Sequence, residues 1–177
     1  FKEVVMKFTL LVAALGVAAS GFAIADTYQA EVSGVANRFD WASHLSNPDE
    51  KSYGLMGNYY FNAVKTDNLP LAEAAYLGKN SNVFATVFDY PRQNGDSSAQ
   101  KYQAGAEFYI QENFLYVKAG VSRYSTDNYR KNDWFTAIGI TPIDGLLVTT
   151  EYSHEDGYDA NIHAKYVAEL GGHFINL

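Results

Sequence analysis

The sequence contains no cysteine, carries few basic residues, and has no long apolar run beyond residue 25. Without cysteine there is no disulfide framework, no thiolate nucleophile and no Cys-ligated zinc site. The 13 Lys and Arg residues against 20 Asp and Glu residues give a net charge of −7. This acidic balance argues against nucleic acid as a partner and against a polybasic attachment to anionic lipid.

Residues 6–25 carry the features of a secretory signal peptide. They combine a positively charged start, an apolar run over residues 10–19 and the small-x-small cleavage site Ala23-Ile24-Ala25. The apolar run is shorter than the roughly 18 residues that a spanning helix needs. We interpret residues 1–5 as an upstream extension outside the fold, residues 6–25 as the signal peptide and residues 26–177 as the exported domain.

The exported domain alternates apolar and polar residues in stretches of about ten. In the clearest stretch, one face holds Tyr102, Ala104, Ala106, Phe108 and Ile110, and the other holds Lys101, Gln103, Gly105, Glu107 and Tyr109. Successive strand residues point to opposite sides, so a period of two predicts strands and excludes helices. The same pattern or a strand-like composition predicts eight strands, at residues 27–37, 53–62, 82–90, 101–110, 115–122, 134–140, 146–153 and 160–169.

Long polar loops and short turns alternate between these strands. The predicted long loops are residues 38–52, 91–100, 125–132 and 154–158, and the predicted short turns are residues 111–113, 141–145 and 169–172. Outer-membrane barrels have long loops outside the cell and short turns at the periplasmic rim. Residues 63–81 are the exception, because they form a long connection on the rim where short turns are expected. Their sequence is compatible with a helical turn or with a bent extension of a strand.

The composition of the apolar faces distinguishes a membrane barrel from a soluble one. A soluble barrel needs large residues to fill its core. Here many Ala and Gly residues lie between Tyr, Leu and Val, and aromatic residues stand near strand ends, where membrane girdles lie. The sequence therefore predicts an all-β fold, an antiparallel transmembrane β-barrel of the cell outer membrane. A secreted or periplasmic soluble barrel is the alternative.

Three segments resemble the general bacterial porins of Gram-negative bacteria. They are residues 53–61, residues 69–77 with the sequence Leu-Pro-Leu-Ala-Glu-Ala-Ala-Tyr-Leu, and residues 165–177. The resemblance implies a passive diffusion channel for small hydrophilic solutes and ions, with no catalytic centre and no cofactor. Family members run longer, and a single-chain bacterial barrel has an even number of strands. Because Leu177 falls within what reads as a ninth strand, we expect a larger even-numbered barrel whose last strands are missing.

Eight ionisable residues on the polar strand faces are candidates for lining a pore. They are Glu31, Lys101, Glu107, Lys118, Glu151, His163, Lys165 and Glu169. In an open lumen they would set ion preference, as rings of charge do in channels. In a plugged barrel they would pair as internal salt bridges, and an eight-stranded closure favours this alternative because its interior only accommodates side chains. Four acids against three lysines are too even to predict selectivity.

The expected partners are outer-membrane lipid and lipopolysaccharide, together with small hydrophilic solutes, and assembly into a homo-oligomer is left open. The four histidines are scattered, so no metal site is predicted. No Gly-x-Ser-x-Gly elbow occurs, and no other catalytic constellation is visible. The alternatives to a porin are a small eight-stranded structural or adhesive barrel without a pore and an outer-membrane enzyme with an active site at its rim.

Export gives the first testable prediction. If residues 6–25 are a signal peptide, N-terminal sequencing of the protein from outer membranes will begin with Asp26, Thr27 and Tyr28. Recovery of the protein from the cytosol with Met6 at its N-terminus would contradict the assignment.

Overall fold

The computed structural model describes residues 7–11, 26–40, 50–67, 69–91, 98–110, 114–154, 160–170 and 173–177. Nearly all of them lie in strands. The strands are β1 (Lys7–Leu11), β2 (Thr27–Asp40), β3 (Glu50–Lys65), β4 (Asn82–Tyr90), β5 (Ala99–Ile110), β6 (Leu115–Thr126), β7 (Arg130–Ile140), β8 (Leu146–Ser153), β9 (Ala160–Leu170) and β10 (His173–Asn176). One short helix, α1 (Ala74–Leu77), lies between β3 and β4. No helix within these ranges is long and apolar enough to cross a membrane.

The ten strands form one sheet in which each pairs antiparallel with the next along the chain. The predicted antiparallel all-β fold is therefore confirmed. Within the described residues β1 and β10 are the two edges of the sheet, which is not closed into a ring. Strand β1 lies inside the predicted signal peptide and pairs with residues 36–40 of β2. Cleavage after Ala25 would leave β2 as the edge, and the domain boundaries stay predictions.

The pairing registers sort the side chains into two faces. Because the registers from β4 to β9 are regular, Glu107, Lys118, Ala137 and Glu151 stand in one row across four strands. The opposite face carries the apolar residues of each strand, and many of them are exposed: Tyr53, Leu55, Phe61, Tyr102, Phe108, Val121, Ile138 and Ile162. An apolar face that is left exposed is what a lipid-facing wall requires.

The polar face is the concave one. Residues 69–81 leave β3 and contact β9 on that face, with the Glu73 Oε2 and Lys165 Nζ atoms 2.6 Å apart. On a flat sheet, six strand spacings would separate β3 from β9 by roughly 30 Å. The contact therefore requires the sheet to curl around its polar side, which leaves the apolar side convex.

Two glycines on the concave face leave room for aromatic rings to lie against the strand backbone. Gly105 and Gly120 are directly opposite each other, with Phe84 and Phe135 as their outer neighbours in the same row. A Cβ on Gly105 would stand 2.7 Å from Cζ of Phe84, and one on Gly120 would overlap the Phe135 ring. The ring centroids of the two phenylalanines are 6.2 Å apart. The rings thus cover glycine backbone, as in aromatic rescue of sheet glycines.

Strands β6 and β7 extend further toward the long-loop rim than the sequence predicts. The predicted eight-residue loop 125–132 is a tight turn, in which the Thr126 N–H donates to the Tyr129 carbonyl at 2.7 Å and the Tyr129 N–H donates to Thr126 Oγ1 at 3.1 Å. The alternation fades there because the convex-face residues of these strand ends, Arg123, Ser125 and Arg130, are polar. Where a strand extends beyond the apolar band, both of its faces are polar, so the alternation of apolar and polar residues does not predict it.

Tyr28 departs from the predicted faces. The alternation places it with Ala30 and Val32, but a register shift between Tyr28 and Ala30 sets Tyr28 opposite Val64. Its ring meets the Tyr60 ring edge-on at a centroid distance of 5.7 Å. A β-bulge changes the side to which following residues point, and periodicity cannot locate it.

The orientation of the two faces can be tested by a pair of arginine substitutions in β5. Ala106→Arg puts a charge on the convex face and should lower folding stability in lipid by about 2–4 kcal/mol. Gln103→Arg, on the concave face, is the matched control and should cost little. Unfolding titrations of both variants in lipid would measure this. If Gln103→Arg proved the more harmful, the apolar face would not be the lipid-facing one.

Candidate functional site

The eight predicted site residues all project from the concave face. The regular registers place Lys101, Glu107, Lys118 and Glu151 on one side of the sheet, and His163, Lys165 and Glu169 follow on β9 at even spacing. Glu31 on β2 joins them, because the Tyr60 hydroxyl donates to its Oε2 at 2.8 Å. Glu107 and Lys118 form an ion pair with each other, and Lys165 pairs with Glu73, which is not in the set. His163 and Glu169 remain exposed. The structure therefore brings together only part of the set.

Lys118 is fixed against the wall in the middle of this face. Its Nζ lies 3.3 Å from Glu107 Oε1, and Asn82 Nδ2 donates to the other carboxylate oxygen at 3.3 Å. The ammonium also lies 5.0 Å from the Phe84 ring centroid and 5.9 Å from that of Phe135. A carboxylate and two ring faces thus hold one cation, and cation–π attraction adds to the ion pair.

An inward segment, residues 69–81, crosses the concave face at the short-turn rim. On the near side, Leu69, Ala74 and Ala75 pack against Tyr60 and Val64, and Ala74 and Val64 are fully buried. The conformation left open for residues 63–81 is therefore a short helical turn within a connection that folds over the polar face. Apolar burial against β3 fixes where this connection begins.

Helix α1 ends in a hydrogen-bonded pattern that turns the chain back toward β4. The Asn80 N–H donates to the Ala75 carbonyl at 2.9 Å, and the Lys79 N–H donates to the Tyr76 carbonyl at 3.0 Å. Lys79 has a φ of 51°, the left-handed conformation that closes such a C-terminal motif. The Ala-rich sequence favours the helical turn, and this motif stops it.

The far side of the inward segment is held by polar contacts. Glu73 binds two groups, Lys165 Nζ at 2.6 Å and Asn176 Nδ2 at 2.7 Å. Lys165 Nζ also lies 4.2 Å from the Tyr76 ring centroid. Further along the segment, Lys79 Nζ lies 3.2 Å from Asp144 Oδ1 in the β7–β8 turn. The segment therefore links β3 and β4 to β9 and β10 across the concave face.

The Tyr76 hydroxyl completes these contacts. It lies 2.9 Å from the backbone carbonyl oxygens of both Gly145 and Lys165 and shares its one proton between them. Burial, followed by the nearby Glu73 carboxylate, raises the pKa of Tyr76 to about 12. The neutral hydroxyl is the form that donates these hydrogen bonds. Its stabilising contribution to the fold is therefore complete below pH 10, the ordinary pKa of tyrosine, and is lost as the pH rises through 12.

Gly145 allows the β7–β8 turn to approach β9 closely enough for this bond. Its φ is +76°, and a Cβ there would overlap the Val167 carbonyl oxygen. The Val167 N–H donates to the Gly145 carbonyl at 2.8 Å. Only glycine meets both conditions without strain.

Comparison with known proteins shows the family. The family model described as "Putative general bacterial porin" matches residues 2–139. The chain belongs to this bacterial porin family. It is also similar to the crystal structure of the Acinetobacter baumannii outer membrane protein Omp33, with a TM-score of 0.60 and 24% sequence identity over 85% of this chain. The chain spans 62% of the length of that protein, and a search of curated proteins found no match.

The porin is thus an outer-membrane β-barrel protein, as the sequence predicts. Sequence reasoning missed Glu73 and Tyr76, because a segment outside the strands gives no periodic signal. It also missed Asp133 at the long-loop rim, which accepts from the Trp134 N–H at 2.8 Å and lies near Lys131 Nζ and His154 Nδ1. Within the described ranges, no group of three or more His, Asp or Glu residues could hold a metal ion.

The contribution of Glu73 to holding the inward segment can be measured by limited proteolysis. Lys79 is the one trypsin site within residues 69–81. Glu73→Gln removes the charge that binds Lys165, and a loss of about 1 kcal/mol would raise cleavage at Lys79 roughly fivefold. Glu169→Gln, an exposed carboxylate on β9, is the control. Equal cleavage rates for wild type and Glu73→Gln would show that the ion pair does not retain the segment.

Proposed function

We propose that the porin forms a passive diffusion channel for small hydrophilic solutes and ions, which pass along the concave polar face. The observation that carries this proposal is the inward segment on that face. A wall of polar side chains needs water or polar partners, and a connection folded across it would narrow the aqueous passage that we propose. Family membership supports the same function, since the family is one of porins.

The charge of the proposed passage favours cations. The eight predicted residues hold four acids and three lysines, and Glu73 adds a fifth acid through the inward segment. Lys118 lies against Glu107, and Lys165 lies against Glu73, so both positive charges are neutralised locally. No described lysine or arginine forms an ion pair with Glu31 or Glu151. Rings of uncompensated carboxylates raise the local concentration of cations in a pore.

A plugged barrel without conductance is the second candidate. The Glu107–Lys118 and Glu73–Lys165 pairs favour it, because internal salt bridges are what a closed interior would contain. Under this alternative the inward segment would seal the short-turn rim. Conductance separates the two candidates directly.

Planar-bilayer recordings of the complete protein test the channel and its selectivity together. Glu151 and Lys118 stand in one cross-strand row, so two neutralising substitutions there should have opposite effects. Glu151→Gln should shift the reversal potential away from cation preference, and Lys118→Gln should shift it toward cations by freeing Glu107. Both shifts should shrink between 0.1 M and 1 M salt, where the screening length falls from about 10 Å to about 3 Å.

A correctly folded protein that never conducts would refute the channel and leave the plugged barrel. Conductance with identical reversal potentials in both variants would instead show that the charged row does not border the passage.

A further inference from the structure

Two adjoining hollows lie on the convex face of β2 to β7, one at mid-strand and one at the long-loop end. The first is a groove of about 730 Å³ whose lining is mostly apolar. Its floor is made of small residues, Gly57, Ala85 and Ala104, and larger residues such as Leu55 and Val121 border it. Small residues between larger ones leave a channel in an otherwise level surface, and an extended hydrocarbon chain fits such a channel.

The second hollow is a basic pocket of about 430 Å³. It is lined by Gln100, Tyr102, Arg123, Ser125 and Arg130. Tyr102 and Arg123 also line the apolar groove, so the two hollows are adjacent. Together they have the form of a site for an amphipathic molecule, with a place for a hydrocarbon chain below and for an anionic group above.

Neither guanidinium is neutralised by a carboxylate among the residues that the structure describes. Arg123 and Arg130 form none of the ion pairs found there, and both side chains are exposed. Asp89, the acid in the same cross-strand row as Arg130, accepts from Gln100 Nε2 at 3.2 Å. Asp127, in the adjacent turn, accepts from Ser98 Oγ at 3.1 Å. Within the described part of the chain, these two arginines therefore carry positive charge without a paired carboxylate, although the net charge of the chain is −7.

The pocket lies at the height of a membrane interface. On β6 the convex face is apolar from Leu115 to Val121, and Arg123 is the next residue on that face. That apolar stretch and the aligned residues of β5 and β7 run roughly 20–25 Å along the strands, which at a strand tilt of about 40° gives an apolar band roughly 15–19 Å tall, with Arg123 just beyond its long-loop edge. The Trp134 and Tyr152 rings, 5.9 Å apart, lie beside Val121 at the level of an aromatic girdle.

We propose that this surface binds a phosphorylated glycolipid of the outer leaflet, the lipid A part of lipopolysaccharide. Arg123 and Arg130 would bind a phosphate group, since the guanidinium presents paired donors that match phosphate oxygens. One acyl chain would lie in the groove below. Because the long loops face outward, the pocket meets the leaflet that carries this lipid. The proposal depends on the outer-membrane location and not on conduction.

Binding of purified bisphosphorylated lipid A to the detergent-solubilised complete protein tests the site, with native mass spectrometry as the readout. Arg123→Gln with Arg130→Gln should weaken binding at least tenfold, which corresponds to about 1.4 kcal/mol. Lys65→Gln removes a charge from the convex face at the opposite rim and should leave the affinity unchanged. Ala104→Phe fills the groove and should also weaken binding, whereas Ala119→Phe, outside it, should not. Heat-dependent gel mobility confirms that each variant is folded.

Three further probes identify the source of the anion. Dephosphorylated lipid A should bind at least tenfold more weakly than the bisphosphorylated form, and inorganic phosphate should not displace the lipid. Unchanged binding by the double arginine variant would overturn the proposal. Full displacement by inorganic phosphate would show a free-anion site, and equal binding of a diacyl phosphatidylglycerol would show that the glycolipid is not the ligand.

Discussion

The hydrogen-bonding demand of the backbone in lipid governs this structure. A strand that crosses hydrocarbon has no water to satisfy its N–H and C=O groups, so every such group needs a neighbouring strand. The antiparallel meander from β2 to β9 meets this demand through local hairpins. Once the ladders are set, the side chains have only two directions available, and the division into a convex apolar face and a concave polar face follows.

The concave face neutralises much of its own charge. Two ion pairs do this, Glu107–Lys118 and Glu73–Lys165. In each pair the carboxylate also accepts from an asparagine amide, and the ammonium also lies over an aromatic ring. Such multiple contacts hold long side chains against the wall at fixed positions, where a single exposed salt bridge would contribute little. The rings of Phe84 and Phe135 likewise lie against the wall, because Gly105 and Gly120 have no side chain to keep them away from it.

The sequence predicts the strands well because period-two alternation is a local property. Strands β4 and β8, where the alternation is less regular, begin and end where their strand-like composition predicts, and all eight candidate residues emerge on one face. Prediction fails where a contact with a distant part of the chain determines the orientation or the partner of a residue. Tyr28 changes face at a bulge that depends on β3, and Glu73 finds its partner Lys165 92 positions later in the sequence. The ends of β6 and β7 escape notice for a different reason, because their polar convex residues resemble a loop.

The inward segment has a consequence for the order in which the barrel assembles. Its near side can pack as soon as β2 and β3 pair, but Glu73 and Tyr76 have no partners until the β7–β8 turn and β9 are in place. Contacts of such long sequence separation form late, since the chain between them must be ordered first. Until then the concave face stays uncovered at the short-turn rim. The inward segment therefore reaches its final position only after the β7–β8 turn and β9, on the other side of the sheet, are in place.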